Sequence, residues 1–143
     1  MTYWLVKTEP LEYSWSQFVV EKNCAWTGVR NYQARNFLQA MMLEDIVLIY
    51  HSNQEKAIVG ISKVIKTHYT DPTFVEQKKN IWSAVVITAL QSLVEPVTLE
   101  TIKEDTVLCQ MKMVKNSRLS VIPVQPIEFS RILFLSQTSF QIL

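Results

Sequence analysis

The chain of 143 residues has few of the residues on which common catalytic motifs are built. Its two glycines, Gly28 and Gly60, stand far apart, so neither a phosphate-cradling loop nor a dinucleotide-binding fingerprint can form around them. It has two histidines, His51 and His68, and two cysteines, Cys24 and Cys109, with no HExxH, CxxC or deaminase-type spacing. No metal and no cofactor is therefore expected. Two isolated cysteines do not make a disulfide scaffold, which points to a reducing compartment. The serine nucleophile motif GxSxG is absent, and in "YHSN" strand alternation would point His51 and Ser52 apart.

Long apolar runs are missing too, and "MTYWLVKTEP" has its lysine on the wrong side for a signal peptide. A soluble, cytoplasmic, monomeric protein that does not touch a membrane is the expectation. Charge of either sign is not in excess: fourteen basic against thirteen acidic residues leave a net charge of +1. A sequence-blind electrostatic grip on nucleic acid is unsupported, so any polyanion contact must be local.

What the chain does have is apolar content, 48% of residues against 19% charged, enough to fold as one domain over residues 1–143. "YWLVK" reads as a strand that stops at Pro10. Ser14 and Gln17 have capping-box spacing ahead of a short helix with Trp15, Phe18 and Val19 on one face. From Asn31, residues Ala34, Phe37, Leu38, Met41 and Met42 follow an amphipathic helical period, with Arg35 and Gln39 on the opposite face. Strands are expected at 46–50 and 57–65, joined by the turn "HSNQEK", and again at 82–90 and 117–124. Thr98 caps a helical turn in "LETIKE", and Pro126 opens a last helix. Irregular strand and helix order makes this an α+β chain, an antiparallel or mixed barrel with helices outside.

The stretch "WTGVRNYQARN" at 26–36 concentrates groups that suit a nucleobase. Trp26 offers a stacking face, Asn31 and Asn36 offer paired donors and acceptors for a base edge, and Arg30 and Arg35 offer bidentate phosphate contacts. Each also has a structural role open to it. Trp26 would fit a core and Asn31 and Ser14 helix caps, while Arg35 would suit a solvated face, Gly28 a positive-φ turn, and Lys7 a strand end that snorkels to water. On spacing alone the structural roles are favoured.

The ordered blocks "YWLVKTEPLEYSW", "WTGVRNYQARNFL", "VLIYHS", "VGISKV", "YTDPT", "PVTLETIK" and "SRLSVIPV" resemble the EVE domain, a PUA-like family related to YTH and ASCH domains. The resemblance covers nearly the whole chain, up to about Phe134. It implies a mixed β pseudo-barrel flanked by helices, acting as a non-catalytic reader of a modified base flipped out of DNA or RNA. The implied base pocket has Trp26 as its stacking wall, with Lys7, Thr8 and Ser14 beside it. Tyr50, His51 and Ser52 would face the pocket, and Asn31 and Tyr32 would stand at its mouth. Arg30, Arg35 and Arg118 would hold the backbone phosphates.

Two other readings stay open. One is a small enzyme acting on a modified nucleoside, as in ASCH-like relatives, with Lys7, Glu9 and His51 as acid–base groups. The other is an RNA-binding module with no modification preference. One departure from the family pattern is Glu44, where a glycine usually precedes the aspartate before a strand. A glutamate with positive φ would cost about 1 kcal/mol, so a different turn conformation is expected.

Overall fold

The computed structural model describes residues 1–141. The chain runs β1 (Tyr3–Thr8), α1 (Trp15–Glu21), β2 (Asn23–Trp26), α2 (Tyr32–Ala40), β3 (Ile46–His51), β4 (Ala57–Thr70) and β5 (Ser83–Thr98). It continues through α3 (Leu99–Glu104), a 3-10 turn at Leu108–Gln110, α4 (Lys112–Lys115), β6 (Val121–Val124) and α5 (Pro126–Leu135). The architecture is α+β.

Six strands form one sheet in the order β2-β5-β4-β3-β1-β6. β1 runs parallel to β3 and antiparallel to β6, and the other neighbours are antiparallel. All six residues of β3 are buried, as a strand covered on both faces requires. Leu5, Phe18, Leu38, Leu48, Ile58 and Ile61 are among the fully buried side chains that join the sheet to α1 and α2.

The helix starts follow their capping chemistry. Ser14 Oγ accepts from the Gln17 amide at 3.1 Å, Asn31 Oδ1 from Ala34 at 2.9 Å and Thr98 Oγ1 from Thr101 at 3.2 Å. Glu128 reaches back to the Gln125 amide at 2.8 Å, with Pro126 at the head of α5.

Several bounds differ from the sequence reading. β4 and β5 run to Thr70 and Thr98, beyond the apolar segments that mark their buried starts: the exposed end of β4 pairs with the start of β5, and the largely exposed end of β5 pairs with the start of β4. The last strand begins at Val121 instead of residue 117. β2, only four residues long, had no legible pattern of its own. At Glu44 the turn does keep its positive φ, 72°, contrary to the expected change of conformation. The Glu44 amide donates to the Val64 carbonyl at 2.9 Å and its carboxylate accepts from Lys63 Nζ at 2.9 Å, contacts that offset the strain.

Gly60 answers to a packing need. A Cβ there would lie 2.4 Å from the Trp15 indole, so the ring packs directly on bare backbone at a bulge in β4. Among the described residues no helix is long and apolar enough to cross a membrane.

Candidate nucleic-acid site

The sheet has two rims, β2 at one end and β6 beside β1 at the other, and no hydrogen-bonded ladder joins them among the described residues. A cavity of about 450 Å³ lies between them. Its walls come from the end of β1 (Lys7, Thr8), from β2 (Cys24 to Trp26), from Gly28 to Arg30, and from Ser120 just ahead of β6. The site is thus the seam where a barrel would otherwise close.

Trp26 lines this seam and is 8% exposed. Its ring meets Tyr13, another wall residue, edge to face with centroids 6.2 Å apart. The indole is therefore both core and cavity wall, so the two roles open to it in the sequence coincide. Tyr13 Oη donates to Glu21 at 2.8 Å. Burial, then contacts with Cys24 and Glu21, push its phenol well above the ordinary range. Burial likewise raises the Cys24 thiol, against the lowering effect of its hydrogen bond with Tyr13.

Lys7 is half-buried, and desolvation lowers its pKa. Its Nζ donates to the Ser117 carbonyl at 3.0 Å and stands 5.8 Å from the Tyr50 ring centroid. Thr8 Oγ1 donates to the Tyr13 carbonyl at 2.8 Å, which fixes its hydroxyl at the wall. Glu9 and Glu12 add carboxylates to the same cavity. Sequence reasoning placed neither of them, nor Tyr13 and Ser120, among the base-pocket residues. Glu9 and Tyr13 lie inside the quoted first block, where position along the strand end was the available signal.

Of the remaining expected residues, the fold brings few to this seam. Ser14 and Asn31 cap α1 and α2 and line no part of it. Tyr32 stacks obliquely on Trp82, 5.3 Å between centroids, in a separate groove. Tyr50 and Ser52 line another cavity on the far side of Lys7. His51 is buried; its Nε2 accepts from the Trp15 amide at 2.9 Å, so the proton sits on Nδ1, which faces Glu55 at 2.9 Å.

The arginines are occupied as well. Arg30 lines the cavity but donates to Asp71 Oδ2 at 2.9 Å, to Thr73 Oγ1 at 3.1 Å and to the Val29 carbonyl at 3.0 Å. Asp71 is fully buried and also accepts from the Gly28 amide at 2.8 Å, where φ is 82°. Burial works against its charge, yet the Thr73, Gly28 and Arg30 hydrogen bonds outweigh it and bring its pKa down to about 2. Arg35 donates to Asn36 Oδ1 at 2.8 Å and to the Ile81 carbonyl at 3.4 Å, while Gln39 reaches Ser83 at 3.0 Å. Arg35 and Gln39 thus dock on the start of β5, while Asn36 is exposed and lines none of the cavities described. Arg118 is exposed. Among the described residues no three His, Cys, Asp or Glu side chains are grouped to hold a metal.

The sequence profile of the EVE domain matches residues 2–135. The chain belongs to the EVE domain family. Mouse (Mus musculus) thymocyte nuclear protein 1 is 34% identical over 95% of this chain and 74% of its own length. The crystal structure of a protein from Agrobacterium tumefaciens is 35% identical, covers 99% of this chain and 97% of its own, and superposes with a TM-score of 0.93. Human THYN1 protein, solved in complex with DNA containing 5-methylcytosine, is 28% identical over 98% of this chain and 100% of its own, with a TM-score of 0.85. The YTH domain of Zygosaccharomyces rouxii MRB1, solved with N6-methyladenosine RNA, covers 99% of this chain and 90% of its own at 13% identity and a TM-score of 0.61, a likeness of fold alone.

Proposed function

We propose that this EVE domain is a non-catalytic reader that receives a modified nucleobase of DNA or RNA in the seam between β1 and β2. The observation that carries the reading is the aromatic-walled cavity itself. About 450 Å³ lies in the ~300–1,000 Å³ range of small-ligand sites and opens beside two aromatic rings. The solved complex of human THYN1 with methylcytosine DNA supports the same class of ligand.

The residues assigned to the base are Trp26 and Tyr13 as walls, Thr8 and Lys7 at the end of β1, and Glu12 as an acceptor, with Glu9 beside it already accepting from the Leu11 amide and Asn53. A carboxylate in this position suits a base that presents an exocyclic amino group, as cytosine does at N4. A base in a duplex must first leave the stack, which costs a few kcal/mol. Burying an added methyl group returns only ~0.8 kcal/mol, so the preference for a methylated base is modest, about fourfold.

The enzyme reading on Lys7, Glu9 and His51 has less support. Lys7 and Glu9 line the cavity, whereas His51 faces Trp15 and Glu55. Titration of DNA and RNA oligonucleotides with one methylated, hydroxymethylated or plain base tests the proposal. Equal affinity for all of them would remove it.

A further inference from the structure

Of the three arginines expected to hold phosphates, Arg30 and Arg35 are engaged by neighbours, and Arg118 is exposed but lines none of the cavities described. A different basic group lacks acidic partners among the described residues, although Lys7 Nζ donates to the Ser117 carbonyl. A second cavity, of about 400 Å³, lies across Lys7 from the seam. Lys7, Lys56 and Lys103 line it together with the polar side chains of Ser52, Asn53 and Ser117, and no carboxylate is among its lining residues. None of these three lysines pairs with an acidic side chain among the described residues.

Three elements bring the lysines to one place. Lys7 ends β1, Lys56 closes the β3–β4 turn, and Lys103 lies in the last turn of α3. The Leu99 amide at the head of α3 donates to the Lys56 carbonyl at 2.8 Å, which pins that turn to the helix. Three like charges around one hollow repel one another, and an anion with several oxygens relieves that repulsion while accepting from lysine and serine donors; the Asn53 amide is already given to the Glu9 carboxylate. The wall is polar where a phosphate needs donors, with Met113 and Leu99 supplying its apolar floor.

We propose that this lysine cavity is a phosphate site that holds the backbone of the bound strand next to the base in the seam. The inference rests on the base-reading proposal for its choice of strand phosphate. Lys7 is the link, since it lines both cavities, so a nucleotide placed in the seam has its phosphodiester on the lysine side. The shared chemistry, a phosphate oxyanion, also belongs to free nucleotides, and the test separates the two sources.

The experiment compares the protein with its Lys56→Ala/Lys103→Ala variant; both side chains are exposed, so the fold is kept, and thermal melting checks this. Fluorescence anisotropy is read over a salt series with a single-stranded oligonucleotide carrying one 5-methylcytosine, with its unmodified twin, and with nucleoside 5′-monophosphate as competitor. The variant is expected to bind both oligonucleotides about tenfold more weakly with their ratio unchanged, and its slope of log K against log salt is expected to be shallower by ~0.7 for each phosphate that the lysines no longer neutralise. A methylphosphonate beside the modified base is expected to weaken the wild type alike and to leave the variant unaffected.

An unchanged affinity and salt slope in the variant overturns the lysine site, whatever the base preference. A weakened variant in a protein that does not distinguish the two bases supports the lysine site and removes the base reading instead. Competition by the monophosphate at the lysine site, with no effect of the methylphosphonate, overturns the strand phosphate as occupant.

Discussion

Nε2 of His51 accepts the backbone amide of Trp15 at 2.9 Å, so the last residue of β3 holds the first turn of α1. Both partners are buried, and the bond is one of two direct ties from Trp15 to the sheet, the other being its Nε1 bond to Ser92. Replacing His51 with alanine leaves the Trp15 amide without an acceptor. We expect a loss of about 1–3 kcal/mol in urea unfolding, with the preference among modified oligonucleotides retained. A loss of preference at full stability would return His51 to the binding site.

Gly60→Ala forces a methyl group into the Trp15 indole, since the ring atoms lie 2.4 Å from the Cβ position. The ring is also held by its Nε1 bond to Ser92 at 2.8 Å, so it has little room to withdraw. Overpacking of this kind costs about 1–3 kcal/mol, to be read as a lowered melting temperature. An unaltered melting temperature would mean that α1 can lift off the sheet at no cost.

Asp71 gives the fold an acid limit. Its pKa is about 2 in the folded chain, below the ordinary carboxylate value of 3.8, so its contribution is present above the ordinary value and is lost as pH falls from about 4 toward 2. The amount is on the order of 2 kcal/mol. Asp71→Asn is expected to lower stability at neutral pH and to flatten that part of the stability curve. An identical acid limb in the variant would assign the limb to other carboxylates.

Trp26 needs a conservative probe because its ring belongs to the core. Trp26→Ala would remove about 3–5 kcal/mol of folding stability and obscure any binding effect. Trp26→Phe keeps an aromatic wall while shrinking it. We expect a folded protein whose affinity for a modified oligonucleotide falls by up to about 1 kcal/mol, within the scale of base–aromatic stacking. Unchanged affinity would move the stacking surface to Tyr13.

Cys24 provides a footprint of the cavity. Burial raises its thiol pKa, so alkylation by iodoacetamide near neutral pH is expected to be slow and to quicken with rising pH. Saturating oligonucleotide is expected to slow it further, while Cys109, which lies outside the seam, reacts at its free rate. Equal protection of both cysteines would point to a global effect and not to occupancy of the seam.

Much of the fold was legible because its local chemistry is explicit. The caps at Ser14, Asn31 and Thr98 and the proline at 126 stand where spacing places helix starts, and the branched-residue runs mark the inner strands. The far ends of β4 and β5 were not legible, since they are largely exposed and each is held by long-range pairing with the buried start of the other strand. The site was legible in part. Lys7, Thr8 and Trp26 meet in the seam, but capping engages Ser14 and Asn31, and only the folded arrangement brings Asp71 to Arg30 from forty-one residues away. Alternation along β3 foretold one distinction that the family resemblance did not: Tyr50 and Ser52 face the lysine cavity while His51 turns to α1.

Asp71 follows the exposed end of β4, and its amide donates to the Trp82 carbonyl just ahead of β5, while its oxygens hold Gly28 and Arg30 at the lip of the seam. One buried carboxylate consequently fastens the β4–β5 connection to the doorway. The link between those strands cannot move away without releasing that rim.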